Sequence, residues 1–369
     1  MSPAPLRVGF LSPHNPYDRR AFSGTSFYAA TALRQIPGVQ LSILGAHRPV
    51  SIKERLLRQP TPKLDHVARD QFEGLDAVIG MVASKLIDPV LPDLDIPYLH
   101  VTDATPAFLR DCYGWDIPAE IDARETRVAR HADAVIYSSE EMAARAAQEL
   151  NISALSAPFG VNLDQRQLPE TSPSKPPLDR LNLLFVGNDW VRKGGNIAVD
   201  TLNQLRALGR DAHLTVVGRL PDLHRNNPAI TMMGYLNKNR PNHAARLAQA
   251  YAEAHLLLLP SRADCTPMVA AEAMAYGTPV LASDVGGLGT MLGGPGTGRL
   301  LSLAADAADW AEEICALTND LLSYKMRSDA CFDRAATRLT WEAWSANLLA
   351  TLAKLRRIGA PERRRIVAA

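Results

Sequence analysis

Two doubly wound α/β domains are what this sequence predicts, and three observations predict them. The chain has 369 residues, more than one hydrophobic core usually organises, so two domains are expected. Short apolar runs bounded by turn residues alternate with helical periodicity, the signature of parallel sheets covered on both faces. That rhythm stops at a Pro- and Ser-rich stretch, 169–177 (PETSPSKPP), and then starts again. The boundaries read this way are 1–172 for the first domain, 173–339 for the second, and 340–369 for a C-terminal helix and basic tail.

In the first domain, strands are expected at 7–12 (RVGFLS), 39–44, 77–80, 98–101, 134–138 and 155–159, with helices over 26–35 and 122–131. In the second, strands fall at 181–186, 213–217, 231–234, 256–260, 279–283 and 298–301, with helices over 195–208, 244–254 and 269–276. Helices run from about 306 to the end. Ligands of such sheets bind at the carboxyl ends of the strands, so chemistry is sought in the loops that follow them.

Composition narrows the function. Forty basic residues against 39 acidic ones leave a net charge of +1, which gives nucleic acid binding no support. Cys112, Cys265, Cys315 and Cys331 form no paired motif, which argues against a disulfide framework or zinc site and fits a reducing compartment. The N-terminus shows no long apolar region of a signal peptide, and no run is long enough to span a bilayer. A cytoplasmic protein is expected, with any membrane contact peripheral, at the inner face.

The most informative segment is 260–287, PSRADCTPMVAAEAMAYGTPVLASDVGG. Thr266 suits a helix N-cap and Pro267 the first helical position, with Gly277 at the far end, and Thr266, Pro267 and Met268 are candidate donor contacts. The positive end of such a helix suits a diphosphate. Glu272, in the second turn, leans toward that end, and its carboxylate matches a ribose diol. Asp264, on the loop before the cap, suits sugar hydroxyls. The same residues also fit an ordinary capped helix with a surface glutamate. A second segment, 185–195 (FVGNDWVRKGG), follows the first strand of the second domain. Arg192 and Lys193 there can neutralise a pyrophosphate leaving group, and Gly187, Gly194 and Gly195 allow close backbone approach. A solvated charge pair on a turn is the plainer alternative.

Segment 260–287 resembles the acidic-x7-acidic signature of the family-4 retaining glycosyltransferases of the GT-B fold, in which glutamate usually stands at both ends. Here Asp264 stands at the first position and Glu272 at the second. The resemblance spans nearly the whole chain and is most specific from 181 to 287. It implies two Rossmann-like domains facing across a cleft, with a C-terminal helix, here 340–355 with Trp341 and Trp344, crossing back to the first. It implies that Arg192 and Lys193 hold the donor diphosphate and that Gly24 and Thr25, in Ser23-Gly24-Thr25, approach the donor or acceptor. Tyr235, after Gly234, is implied to line the base pocket. Asp103, after the strand 98–101, is implied to orient or deprotonate an acceptor hydroxyl, although 102–104 equally suits a helix cap. His100 reads as a satisfied structural histidine.

The activity implied is that of a retaining hexosyltransferase of class EC 2.4. It moves a sugar from a nucleotide-diphosphate sugar to a sugar, glycan or lipid-linked acceptor, in glycolipid, lipopolysaccharide or exopolysaccharide synthesis. Asp103, Arg192, Lys193 and Asp264 are its catalytic candidates. No metal or other cofactor is expected, since cations and a helix end replace it and no DxD stands in a strand-end loop. The alternative is a catalytically silent sugar-nucleotide-binding partner of another transferase. Lys53, Arg55 and Arg58 accompany Ile52, Leu56 and Leu57 on a basic amphipathic stretch, 51–70, which suits either an anionic membrane or a solvated surface helix. Arg363–Arg365 form a short basic tail with the same two readings.

Overall fold

The computed structural model describes residues 4–48 and 63–357. Most of the basic amphipathic stretch and the whole 363–365 tail lie outside the described residues. The chain divides into two compact units, one formed by residues up to 160 together with those from 340 onward, the other by 161–339.

The first unit runs β1 (Leu6–Leu11), α1 (Thr25–Gln35), β2 (Val39–Ile43), β3 (Ala77–Met81), α2 (Ser84–Ile87), β4 (Tyr98–Thr102), α3 (Pro106–Tyr113), α4 (Ala119–His131), β5 (Ala134–Tyr137), α5 (Glu140–Leu150) and β6 (Ala154–Ser156). Its strands form one parallel sheet in the order β2-β1-β3-β4-β5-β6. Every residue of β3, β4 and β5 is buried, which is why those strands read as continuous apolar runs rather than as alternating ones. The helix after β4 is capped by Thr105, whose hydroxyl accepts from the Phe108 N–H at 3.1 Å, with Pro106 in the first turn. Residues 102–104 are therefore not the cap.

The second unit runs β7 (Leu181–Gly187), α6 (Gly195–Ala207), β8 (Ala212–Gly218), β9 (Ile230–Gly234), α7 (Pro241–Glu253), β10 (Leu256–Leu259), α8 (Met268–Met274), β11 (Val280–Ser283), α9 (Leu288–Leu292), β12 (Gly298–Leu301), α10 (Ala307–Thr318) and α11 (Leu321–Thr337). Its parallel sheet has the order β12-β11-β10-β7-β8-β9. Side-chain alternation along β7 sends Leu183 and Phe185 into one apolar layer with Leu202, Trp310 and Ile314. Leu184 enters the opposite layer with Tyr251, Met274 and Leu339.

This unit begins at Val161, ahead of the Pro- and Ser-rich stretch. Val161 and Leu163 are buried in its core, and the Val161 N–H donates to the Leu339 carbonyl at 2.9 Å. The stretch itself is fastened to the unit: Lys175 donates to the carbonyls of Tyr251 and Ala252 at 3.1 and 3.2 Å and to the Thr278 hydroxyl at 2.6 Å. Three acceptors satisfy the three donors of its ammonium. The last helix, α12 (Trp341–Arg356), returns to the first unit and packs against α1. Trp341 stacks on Phe159 at 5.8 Å and meets Trp344 edge-on at 5.1 Å. Among the described residues, no helix is long and apolar enough to cross a membrane.

Candidate functional site

In the second unit the chain runs from β7 through β8 to β9, then returns to lay β10 on the other side of β7. The strand order reverses between β7 and β10, and ligands of doubly wound sheets bind at the carboxyl end of such a reversal. The loops that follow these two strands, 188–194 and 260–267, are bonded to each other. The Arg262 N–H donates to the Arg192 carbonyl at 2.8 Å. The Arg192 guanidinium donates to the Ala263 carbonyl at 2.8 Å and to the Asp189 carboxylate at 3.1 Å. Gly194 has φ +71°, and a Cβ there would stand 1.8 Å from the Pro260 carbonyl oxygen, so glycine is required for the loops to meet.

Lys193 donates to the Asp264 carboxylate, which also accepts from the Ser261 hydroxyl at 3.4 Å. The two side chains are 13% and 9% exposed, so bulk solvent screens this pair little. Gly187 lies under the lysine stem, where a Cβ would meet Lys193 Cγ at 3.1 Å. Gly286, at φ +57°, closes the other side: a Cβ there would stand 1.7 Å from the Asp264 carbonyl oxygen. Two candidates separated by 71 positions, Lys193 and Asp264, are thus brought together, and Arg192 braces the loop that carries Asp264.

Helix α8 begins at Met268, one residue later than the sequence suggests. Pro267 takes the cap position with a non-helical ψ of 89°, and no side chain caps the helix, so Thr266 is not the N-cap. Glu272 is not the surface glutamate of the plainer reading. Its carboxylate is buried, with the residue 0% exposed, and both oxygens are engaged. Oε1 accepts from the Lys238 ammonium and Oε2 from the Tyr251 hydroxyl at 2.9 Å. Burial, reinforced by the Glu272 charge, holds the Tyr251 phenol well above its ordinary pKa, so it stays a donor. Lys238 also reaches the Asn162 carbonyl at 3.3 Å. Neither Lys238 nor Tyr251 was signalled by the sequence: each is an ordinary lysine or helical tyrosine until the fold brings it to Glu272. Tyr235 follows β9 and is 36% exposed.

The first unit holds the remaining candidates. Phe22, Ser23 and Gly24 have φ of +50°, +56° and +93° in succession, and Gly24 occupies the cap position of α1, next to the buried Thr25. Left-handed conformations at two non-glycine residues cost roughly 1–3 kcal/mol each and tend to cluster at functional loops. Asp103, half-buried, follows β4. His100 is buried with its Nδ1 3.0 Å from the Tyr98 hydroxyl and its Nε2 3.9 Å from Glu125, which accepts the Ser84 hydroxyl at 2.5 Å. Burial pulls its pKa down to about 4, so it is a neutral structural histidine near pH 7. Among the described residues, no group of three or more His, Cys, Asp or Glu side chains is arranged to hold a metal ion.

Residues 180–320 match the family described as glycosyl transferases group 1. A D-inositol 3-phosphate glycosyltransferase of Nocardia farcinica is 46% identical over 146 residues, 37% of this chain and 32% of the relative. One of Arthrobacter sp. is 34% identical over 151 residues, 39% of this chain and 36% of the relative. The chain thus spans about a third of the length of these relatives. A phosphatidyl-myo-inositol mannosyltransferase of Mycobacterium leprae is 25% identical over 373 residues, 93% of this chain and 96% of the relative. Among solved structures, a sucrose-phosphate synthase of Thermosynechococcus elongatus superposes with TM-score 0.69 at 19% identity, covering 95% of this chain and 99% of that one. Anabaena HepE in complex with UDP and glucose gives 0.64 at 13% identity, covering 95% and 100%. These two establish the fold, GT-B.

Proposed function

We propose that this chain is a retaining glycosyltransferase that moves a hexose from a nucleotide-diphosphate sugar to an acceptor hydroxyl, a reading supported by the match of residues 180–320 to the glycosyl transferases of group 1. The observation that carries this reading is the sheltered Lys193–Asp264 pair at the strand-order reversal of the second unit. In the reaction the bond between the anomeric carbon and the diphosphate oxygen breaks, and the diphosphate leaves with the electron pair. The acceptor oxygen bonds to that carbon and its proton is released. Lys193, and Arg192 beside it, supply positive charge where the leaving group gains negative charge, the stage at which fixed charge lowers a barrier most. Asp264 receives sugar hydroxyls and keeps the ammonium aimed. Glu272 accepts the ribose hydroxyls, and Tyr235 flanks the base. For the first unit taken by itself, Asp103 after β4 is the proposed group for an acceptor hydroxyl.

The near-full-length likeness to a phosphatidyl-myo-inositol mannosyltransferase supports a polyol or glycolipid acceptor, reached at a membrane surface by peripheral contact. The UDP bound to Anabaena HepE supports a nucleoside diphosphate as the leaving group. The test is transfer by purified protein from UDP- and GDP-hexoses to inositol phosphate and to phosphatidylinositol in vesicles, with the anomeric configuration of the product read by NMR. A product that retains the donor configuration and is lost with Lys193→Ala supports the proposal. An inverted product refutes it. Nucleotide-sugar binding without transfer or donor hydrolysis favours the silent binding partner.

A further inference from the structure

Glu272 is a buried carboxylate whose two oxygens are gripped separately, Oε1 by the Lys238 ammonium and Oε2 by the Tyr251 hydroxyl. The grips come from different elements, Lys238 from the loop between β9 and α7 and Tyr251 from α7 itself. A buried carboxylate needs a cation and hydrogen-bond donors to remain ionised. These two do more than neutralise it: with one donor on each oxygen, rotation of the carboxylate would break one bond or the other, so its remaining lone pairs are fixed in direction. The Lys238 side chain is 18% exposed against 1% for Glu272, so the pair spans from the interior to the surface. Next to Lys238, Asn237 is buried at 1% exposure, and its Oδ1 accepts the Asn239 N–H at 2.9 Å. Its side-chain amide nitrogen is buried without a hydrogen-bond partner. Buried donors are normally satisfied, so the loop that carries Lys238 also holds a donor with capacity for a ligand acceptor.

We propose that Lys238 and Tyr251 are positioning residues of the donor site, fixing the Glu272 carboxylate in the orientation that accepts the ribose hydroxyls of the nucleotide and so making the site selective for ribonucleotides. This rests on the reading of Glu272 as the ribose carboxylate. A carboxylate held in one direction reads a pair of hydroxyls; one that turns freely accepts whichever hydroxyl remains. Selectivity built on a fixed polar group is large because an analogue that lacks the hydroxyl leaves that group unpaired.

The experiment compares inhibition by UDP and by 2′-deoxy-UDP, or by GDP and its 2′-deoxy analogue if the chain turns over GDP-sugars, alongside donor KM and kcat. The wild type is expected to prefer the ribonucleotide by about 10-fold or more. In Lys238→Met that preference falls toward unity and donor KM rises about 10-fold, while kcat stays within about threefold, the pattern of lost ground-state binding. Lys238→Arg restores the preference. Tyr251→Phe removes only the second grip and lowers the preference as well, which keeps the test decisive if Lys238→Met does not fold. Lys238→Met combined with Glu272→Gln is no worse than Glu272→Gln alone, because both act through one carboxylate. Wild-type preference in Tyr251→Phe or in folded Lys238→Met, while Glu272→Gln has lost it, overturns the positioning role. Wild-type preference in Glu272→Gln shows instead that Glu272 is not the ribose carboxylate, and the inference falls with that reading.

Discussion

Adding one methyl group at Gly286 should disable turnover much more than it unfolds the protein. Its Cβ would stand 1.7 Å from the Asp264 carbonyl oxygen and 3.0 Å from that of Cys265. Ordinary carbon contacts lie near about 3.5 Å, so the loop carrying Asp264 must retreat by roughly 1.5 Å or more. Asp264 is the partner of Lys193, and a displacement on the order of 1 Å in a positioned group costs about 100-fold in rate. The backbone adds its own term, since φ at Gly286 is +57° and a left-handed alanine costs about 1–2 kcal/mol. Gly38→Ala separates the two effects. Gly38 has φ +79° with nothing within 4 Å of its Cβ, so that variant carries the backbone cost alone. For a domain of this size that is a fall in Tm of roughly 2–8 °C, and its kcat should equal that of the wild type. Gly286→Ala should lose about 100-fold in kcat with a larger fall in Tm, measured by donor turnover and thermal melting. Wild-type kcat in folded Gly286→Ala would mean that the placement of Asp264 is irrelevant to the reaction, and the site would have to be sought elsewhere.

Lys193→Ala should lower kcat by about 100-fold or more while changing nucleoside affinity only a few-fold, since in the proposed role its charge matters most as the diphosphate departs; full kcat in the Arg192→Ala/Lys193→Ala double variant would remove the assignment. EDTA should leave turnover intact, and complete loss restored by Mn²⁺ or Mg²⁺ would contradict the metal-independent reading. His100 should make the first unit acid-sensitive: its pKa is lowered to about 4 by burial, so the unfolded chain binds its proton below about pH 6.5 while the folded chain does not. The resulting stability is full above about pH 6.5 and is lost as pH falls toward 4, at most about 3 kcal/mol. Urea denaturation of wild type and His100→Gln across that range should show the difference narrowing toward low pH; parallel curves would disprove it.

The strands were legible because parallel strands buried on both faces leave unbroken apolar runs, such as AVIGM at Ala77–Met81 and LLLL at Leu256–Leu259. Three helices of the first unit, α2, α3 and α5, were not read. In α5 the buried face, Met142, Ala143, Ala146 and Leu150, follows helical spacing, so the period that marks this helix is present in the sequence. In α3 the Thr105–Pro106 start resembles a turn until its capping bond to Phe108 is seen. The break between the units was read from composition, yet Lys175 fastens the Pro- and Ser-rich stretch to the second unit by bonds to residues more than 70 positions away. Lys238 illustrates the same limit at the site, for 34 positions separate it from Glu272 and no spacing rule relates a loop lysine to a helix glutamate at that distance.

Asp264 is where sequence and structure depend on each other most closely. An aspartate in place of the usual glutamate is shorter by one methylene, which by itself would draw its carboxylate back toward its own loop. Yet it meets Lys193, and the surrounding glycines account for how. Gly194 lets the loop after β7 press against the Pro260 carbonyl, and Gly286 lets the segment after β11 press against the Asp264 backbone. The backbone of residue 264 is thus confined from one side by a contact that only glycine permits, while the Arg192 guanidinium holds Ala263 from the other. Close backbone approach can supply the reach that the side chain lacks. On that argument Asp264→Glu is not a simple return to the usual residue. The longer side chain shifts the carboxylate by about one bond length, away from the positions at which Ser261 and the Lys193 ammonium meet the present one.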